Sequence, residues 1–120
     1  MIFTGYLDEK LKMPAIDASK FIVLPSIAHY ESFPLIIHEA WARGKPVVVT
    51  AVGGLPYIVA NSENGILVKP NDTKELAKAL INLLTDENLR IKLGTKGKRS
   101  IKSWREITEM VREVYRDLKK

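Results

Sequence analysis

The stretch Glu31-Ser32-Phe33-Pro34-Leu35-Ile36-Ile37-His38-Glu39 runs on through Ala40-Trp41-Ala42-Arg43-Gly44-Lys45-Pro46 into Val47-Val48-Val49, and an equally apolar Phe21-Ile22-Val23-Leu24 precedes it. Proline is accepted in a first helical turn and glycine is favoured just past a helix end, so Pro34 to Arg43 reads as a helix closed by Gly44. Phe21 to Leu24, stopped by Pro25-Ser26, has the continuous apolar pattern of a strand buried on both faces of a parallel sheet. Pro46 to Thr50 reads as the next strand. Strand, helix, strand in that order implies a right-handed parallel crossover and an α/β fold.

Outward from this unit, Gly53-Gly54-Leu55-Pro56 reads as a tight loop, and Asn64-Gly65 as a turn feeding a strand at Ile66-Leu67-Val68. Upstream, Ile2-Phe3 before Gly5 reads as a short first strand, which brings the sheet to about four strands. Asp8-Glu9-Lys10 then opens a short helix interrupted or restarted at Pro14. Beyond Pro70 the pattern turns helical. Asp72 with Glu75 resembles a capping box ahead of Leu76, Leu80, Leu83 and Leu84. Ser103 with Glu106 makes a second box ahead of Ile107, Met110, Val111, Val114 and Leu118, a stripe expected to be core.

A 120-residue chain with 46% hydrophobic and 28% charged residues fits one domain spanning 1–120, able to bury roughly 65% of its unfolded surface. It has no cysteine, so disulfide, thiolate and zinc-thiolate chemistry are excluded. No segment nears the ~18 apolar residues of a membrane span, and a cytoplasmic location is expected. Up to Pro70 there are six Lys or Arg against six Asp or Glu. From Asn71 onward thirteen face eight, which accounts for the whole net charge of +5. The segment from Arg90 to Arg105 has no acid, yet only Trp104 among stacking aromatics, so it reads as a solvated helical face rather than a nucleic-acid site. Contact with an anionic membrane surface stays open.

Ligands of open parallel sheets bind beyond the carboxyl ends of the strands, where here the loops Ser26 to Phe33, Ala51 to Pro56 and the approach to Pro70 gather. The first ends at a helix N-terminus, whose free amides favour an anion by ~0.3 to 1 kcal/mol when exposed. Glu39 lies one turn deeper, four residues after Leu35. A carboxylate there can accept paired hydroxyls, at roughly 1.5 to 3 kcal/mol per charged hydrogen bond. His38 and Lys45 read as structural, Trp41 and Trp104 as packing residues.

Phe3-Thr4-Gly5-Tyr6, Leu24-Pro25-Ser26, the Glu-x7-Glu of Glu31 and Glu39, Gly44-Lys45-Pro46-Val47, Val52-Gly53-Gly54-Leu55-Pro56, Asn64-Gly65-Ile66-Leu67-Val68 and Ser103-Trp104 together resemble the retaining, nucleotide-sugar-dependent glycosyltransferases of the two-domain GT-B fold. The resemblance covers nearly the whole chain and points to the C-terminal, donor-binding half, with a partial Rossmann-like sheet. It implies that Glu39 binds the ribose diol and that Glu31, as candidate catalytic residue, meets hydroxyls of the transferred sugar. Backbone amides around Ser32, Phe33, Pro34, Leu35 and Ile36 would cradle the diphosphate, and Gly53 and Gly54 would line the donor pocket. A UDP-, GDP- or ADP-linked sugar is the implied donor, with no metal or other cofactor.

The departures also carry information. The family commonly has glycine where Ser32 and Pro34 stand and Glu where Tyr57 stands. Its donor domain begins two strands earlier, with an Arg and a Lys at the diphosphate, and its acceptor domain supplies a His-containing loop that neither His29 nor His38 matches. Loss of one oxyanion stabiliser can cost about a hundredfold in rate, so little transferase activity is expected from these 120 residues alone. An unpaired edge at Phe21 to Leu24 predicts a homo-oligomer or a partner carrying the acceptor domain. A non-catalytic nucleotide-binding module and a basic interaction module are the alternatives.

Overall fold

The computed structural model describes residues 1–120. In chain order it contains α1 (Glu9–Ala18), β1 (Ile22–Leu24), α2 (Leu35–Ala42), β2 (Val47–Thr50), α3 (Leu55–Ile58), β3 (Ile66–Val68), α4 (Thr73–Thr85), α5 (Glu87–Ser100) and α6 (Trp104–Leu118). The three strands form one parallel sheet in the order β1-β2-β3, with Ile22 opposite Val47 and Val48 opposite Ile66. This is the expected α/β arrangement, with three strands instead of about four. Ile2 and Phe3 form no strand. Both are almost fully exposed, and with no neighbouring strand their backbone groups gain nothing over water.

Strand β2 is the centre, and all four of its residues are buried. Val47 and Val49 face Ile37, Ala40, Trp41, Val52, Leu55 and Val59, while Val48 faces Val68, Ala79, Leu83 and Leu93. Each fully buried valine contributes about 1.5 to 3 kcal/mol. Phe21 to Leu24 was expected to be buried on both faces, but β1 is an edge strand and its residues are only half-buried. Its alternate side chains still touch both core layers, so the apolar run does mark a strand between two layers, at the edge of the sheet rather than in its interior.

Helix α1 continues through Pro14 rather than breaking there. Proline forfeits one backbone bond, and ties at both ends hold the helix nonetheless. Asp8 accepts from the Leu11 amide, and Lys45 Nζ donates to the carbonyls of Asp17 and Ser19 at 2.7 Å. The Gly53-Gly54-Leu55-Pro56 loop leads into the short helix α3, where Pro56 occupies the first turn. Asp72 caps α4, but Glu75 turns to the Lys69 amide at 2.8 Å, so that box is only half formed. Asp86 ends α4 and caps α5.

Helix α5 lies against α2 through glycines. A Cβ on Gly94 would land on the Gly44 carbonyl, and one on Gly97 would land on the Trp41 ring. The Ser103–Glu106 box at the start of α6 is complete, with Glu106 accepting from the Ser103 amide at 2.6 Å. That bond holds the Glu106 carboxyl below its ordinary value. The stripe beyond it is not core. No residue of α6 is buried, and Trp104 is 83% exposed. Periodicity specifies which face of a helix is apolar, not what covers it.

Candidate functional site

The loops after β1 and β2 are locked together beyond the carboxyl ends of the strands. The Gly54 amide donates to the Glu31 carbonyl at 2.8 Å, and the buried Thr50 hydroxyl donates to the Ser26 carbonyl. Gly53 adopts φ +52°, where its missing Cβ would overlap Glu31 O, and a Cβ on Gly54 would sit 2.5 Å from Ser32 O. Only glycine allows this approach of backbone to backbone. The structure thus brings Glu31 and Ser32 against Gly53 and Gly54.

Helix α2 begins at Leu35, with Pro34 at the N-cap position and no side chain capping it. Its sequence-predicted span of Pro34 to Arg43 therefore loses one residue at each end. Pro34 has no side-chain oxygen to offer, and the Ile37 amide turns instead to the Pro34 carbonyl at 3.2 Å, while the amides of Phe33, Leu35 and Ile36 make no hydrogen bond within the chain. At α1, α4, α5 and α6 the side chains of Asp8, Asp72, Asp86 and Ser103 place an oxygen at the helix start and accept from its third amide, an oxygen that the start of α2 lacks. Unpaired amides at a helix N-terminus favour a negative charge placed before them.

Phe33 stacks on His38 with ring centroids 4.4 Å apart, and His38 meets the edge of Trp41 at 5.6 Å. Trp41 is buried and its Nε1 donates to the Asn64 carbonyl at 2.9 Å. A column from the core thereby props up the residue that precedes Pro34. His38 Nδ1 is buried without a partner. Lys45, tied to the end of α1, is turned to structural work.

The Glu31 carboxylate makes no hydrogen bond within the chain, whereas Glu39 accepts from Lys12 Nζ at 2.8 Å. The Lys12 ammonium also donates to Glu9 at 2.6 Å, and the two bonds, that to Glu39 foremost, push its pKa above the ordinary lysine value. Lys12 stands 27 positions before Glu39, and no sequence pattern marked it. The Thr50 tie and the Trp41–Asn64 bond were missed for the same reason.

Two half-open clefts lie away from Glu31 and Glu39. One of about 300 Å³ sits between β3, α4 and α5, and one of about 180 Å³ between Pro25, Thr50 and the start of α4. Neither is lined by Glu31, Glu39, Gly53 or Gly54, so the candidate site is an open surface. No cluster of His, Asp and Glu of metal-binding size occurs, and no helix is long and apolar enough to cross a membrane.

Comparison with known proteins agrees with this geometry. The family profile described as Glycosyl transferases group 1 matches residues 1–100. An uncharacterized glycosyltransferase of Methanocaldococcus jannaschii is 39% identical over 100 residues, which is 82% of this chain and 28% of that protein. Sucrose-phosphate synthase from Thermosynechococcus elongatus superposes with a TM-score of 0.81 at 35% identity, over 98% of this chain and 30% of its own. The C-terminal domain of a group 1 glycosyl transferase from Francisella tularensis gives 0.71 at 31% identity, over 88% of this chain and 53% of its own. The chain therefore spans under a third of the curated relative's length. Glu31, Glu39 and the Gly53–Gly54 loop sit within the matched region, and the chain belongs to the group 1 glycosyl transferases, with the fold of their C-terminal domain.

Proposed function

We propose that this chain binds the nucleoside diphosphate and sugar of an activated donor for hexosyl transfer with retention. The observation that carries this reading is the uncapped start of α2 beside the glycine-locked loops. The free Leu35 and Ile36 amides would take the diphosphate, Glu39 the ribose diol, and Glu31 hydroxyls of the sugar. Transfer breaks the bond from the anomeric carbon to the diphosphate oxygen, which leaves with the electron pair, and forms one to an acceptor hydroxyl oxygen, whose proton passes to the departing diphosphate. The amides supply positive potential at that oxygen, and the proposal assigns no metal.

UDP, GDP, ADP and their hexose conjugates, screened by thermal shift, test the reading. A ligand at a hundred times its dissociation constant stabilises by ~2.7 kcal/mol. At least one nucleotide family should raise the midpoint, and Glu39→Ala should remove the rise. No shift with any of them would leave a basic interaction module as the better description.

The open site has one wall, and a partner bearing an acceptor domain would supply the second, so the chain alone transfers little sugar. The unpaired edge of β1 and the exposed apolar Met1 to Tyr6 further favour self-association by strand pairing or exchange. Light scattering at tens of micromolar is expected to give a dimer or larger mass. A monodisperse monomer would refute this part.

A further inference from the structure

Of the ion pairs in the chain, most join neighbours on one helix or lie in solvent. Arg43–Asp17 links distant segments, but its side chains are 43% and 49% exposed. Lys12–Glu39 differs, since it spans from α1 to α2 with side chains only 26% and 22% exposed. Glu39 uses Oε1 for this bond, and its Oε2 has no partner. A carboxylate carries about four acceptor sites on its two oxygens. One bond from Lys12 therefore fixes the rotamer and still leaves acceptors for a pair of hydroxyls.

We propose that Lys12 is a positioning residue for nucleotide recognition, holding the Glu39 carboxylate in the orientation that accepts a ribose diol. The inference rests on the donor-binding reading of Glu39 given above. Lys12 is itself steadied from the other side by Glu9, and α1 is fastened by Asp8 at its start and Lys45 at its end. The ammonium is thus a fixed point rather than a free surface charge. It also offsets the Glu39 charge, which would otherwise repel an arriving diphosphate. Protonation is secure at neutral pH, since both carboxylates raise the pKa of Lys12.

The test compares affinities for UDP, GDP and ADP with those for their 2′-deoxy forms, measured by calorimetry on the whole chain and on Lys12→Met and Lys12→Arg. The wild-type chain should prefer the ribonucleotide of the base it binds by about tenfold, the discrimination supplied by one charged hydrogen bond. Lys12→Met should bring that ratio near one, and Lys12→Arg should keep most of it. A merely structural pin would lower the melting midpoint and leave the ratio intact. If the methionine variant fails to fold, Lys12→Leu, which also lacks a donor, replaces it with the same expected loss of preference.

An unchanged ratio in the uncharged variant, or tighter binding there, overturns the positioning role and leaves the donor-binding reading standing. Tighter binding would mean that Lys12 competes with the nucleotide. Absence of binding by all six probes to the wild-type chain overturns both.

Discussion

Trp41→Ala is expected to lower the unfolding free energy by about 3 to 5 kcal/mol, the usual cost of removing a large buried aromatic, in urea denaturation followed by circular dichroism. The indole fills the space between α2, α5 and the sheet, and its loss strands the buried carbonyl of Asn64. Domains of this kind retain only about 5 to 15 kcal/mol in total, so the variant should be near its limit. Gly97→Ala gives a second reading of the same contact. In an exposed helix interior, alanine in place of glycine stabilises by ~1 kcal/mol. Here its methyl would overlap the Trp41 ring, and overpacking of that kind costs about 1 to 3 kcal/mol. The two substitutions should not add, because in the Trp41→Ala background the new methyl enters space the indole has left. A coupling of about 0.5 to 3 kcal/mol is expected, and strict additivity would show that α5 does not rest on Trp41.

Gly53→Ala is expected to abolish nucleotide binding while leaving the sheet folded. The left-handed backbone costs a residue with a Cβ about 1 to 2 kcal/mol, and the methyl would fall on the Glu31 carbonyl, close to that of His29. One loop must move, which breaks the Gly54–Glu31 bond and displaces the Glu31 carboxylate from its place. A shift of about an ångström in such a site can cost a hundredfold. The checks are a lost ligand-induced rise in melting midpoint and an unaltered far-UV spectrum. Retention of the wild-type rise would show that the two loops need not touch for binding. Gly54→Ala should act in the same direction through Ser32 O, without the backbone penalty, since Gly54 has ordinary φ of −82°.

Much of the candidate site's framework is legible because its parts are local. The proline and glycine that bound α2 are backbone constraints readable one residue at a time, and Gly53-Gly54 announces a turn in the same way. The group 1 resemblance then placed Glu31, Ser32, Phe33, Pro34, Leu35, Ile36, Glu39, Gly53 and Gly54 in one neighbourhood. The structure shows Glu31 and Ser32 meeting the glycines, and it shows Glu39 turned toward α1. The expected strand at Ile2-Phe3 failed because a strand is defined by its neighbour, and none is there. The α6 stripe failed as core for the related reason that Trp104, Ile107 and Val114 have the right spacing and nothing to pack on.

The order of short-range features was thus the property of the sequence alone: apolar runs at Phe21, Val47 and Ile66, a helix between the first two, caps at Asp72 and Ser103, and two carboxylates with seven residues between them. Each depends on the conformational preference of a few adjacent residues. Only the tertiary structure decided which strand is central, that Gly94 and Gly97 exist to admit Gly44 and Trp41, and that Glu39 is held by Lys12. Those contacts join residues 27 to 56 positions apart. Their free energy depends on burial and distance, which no local pattern encodes.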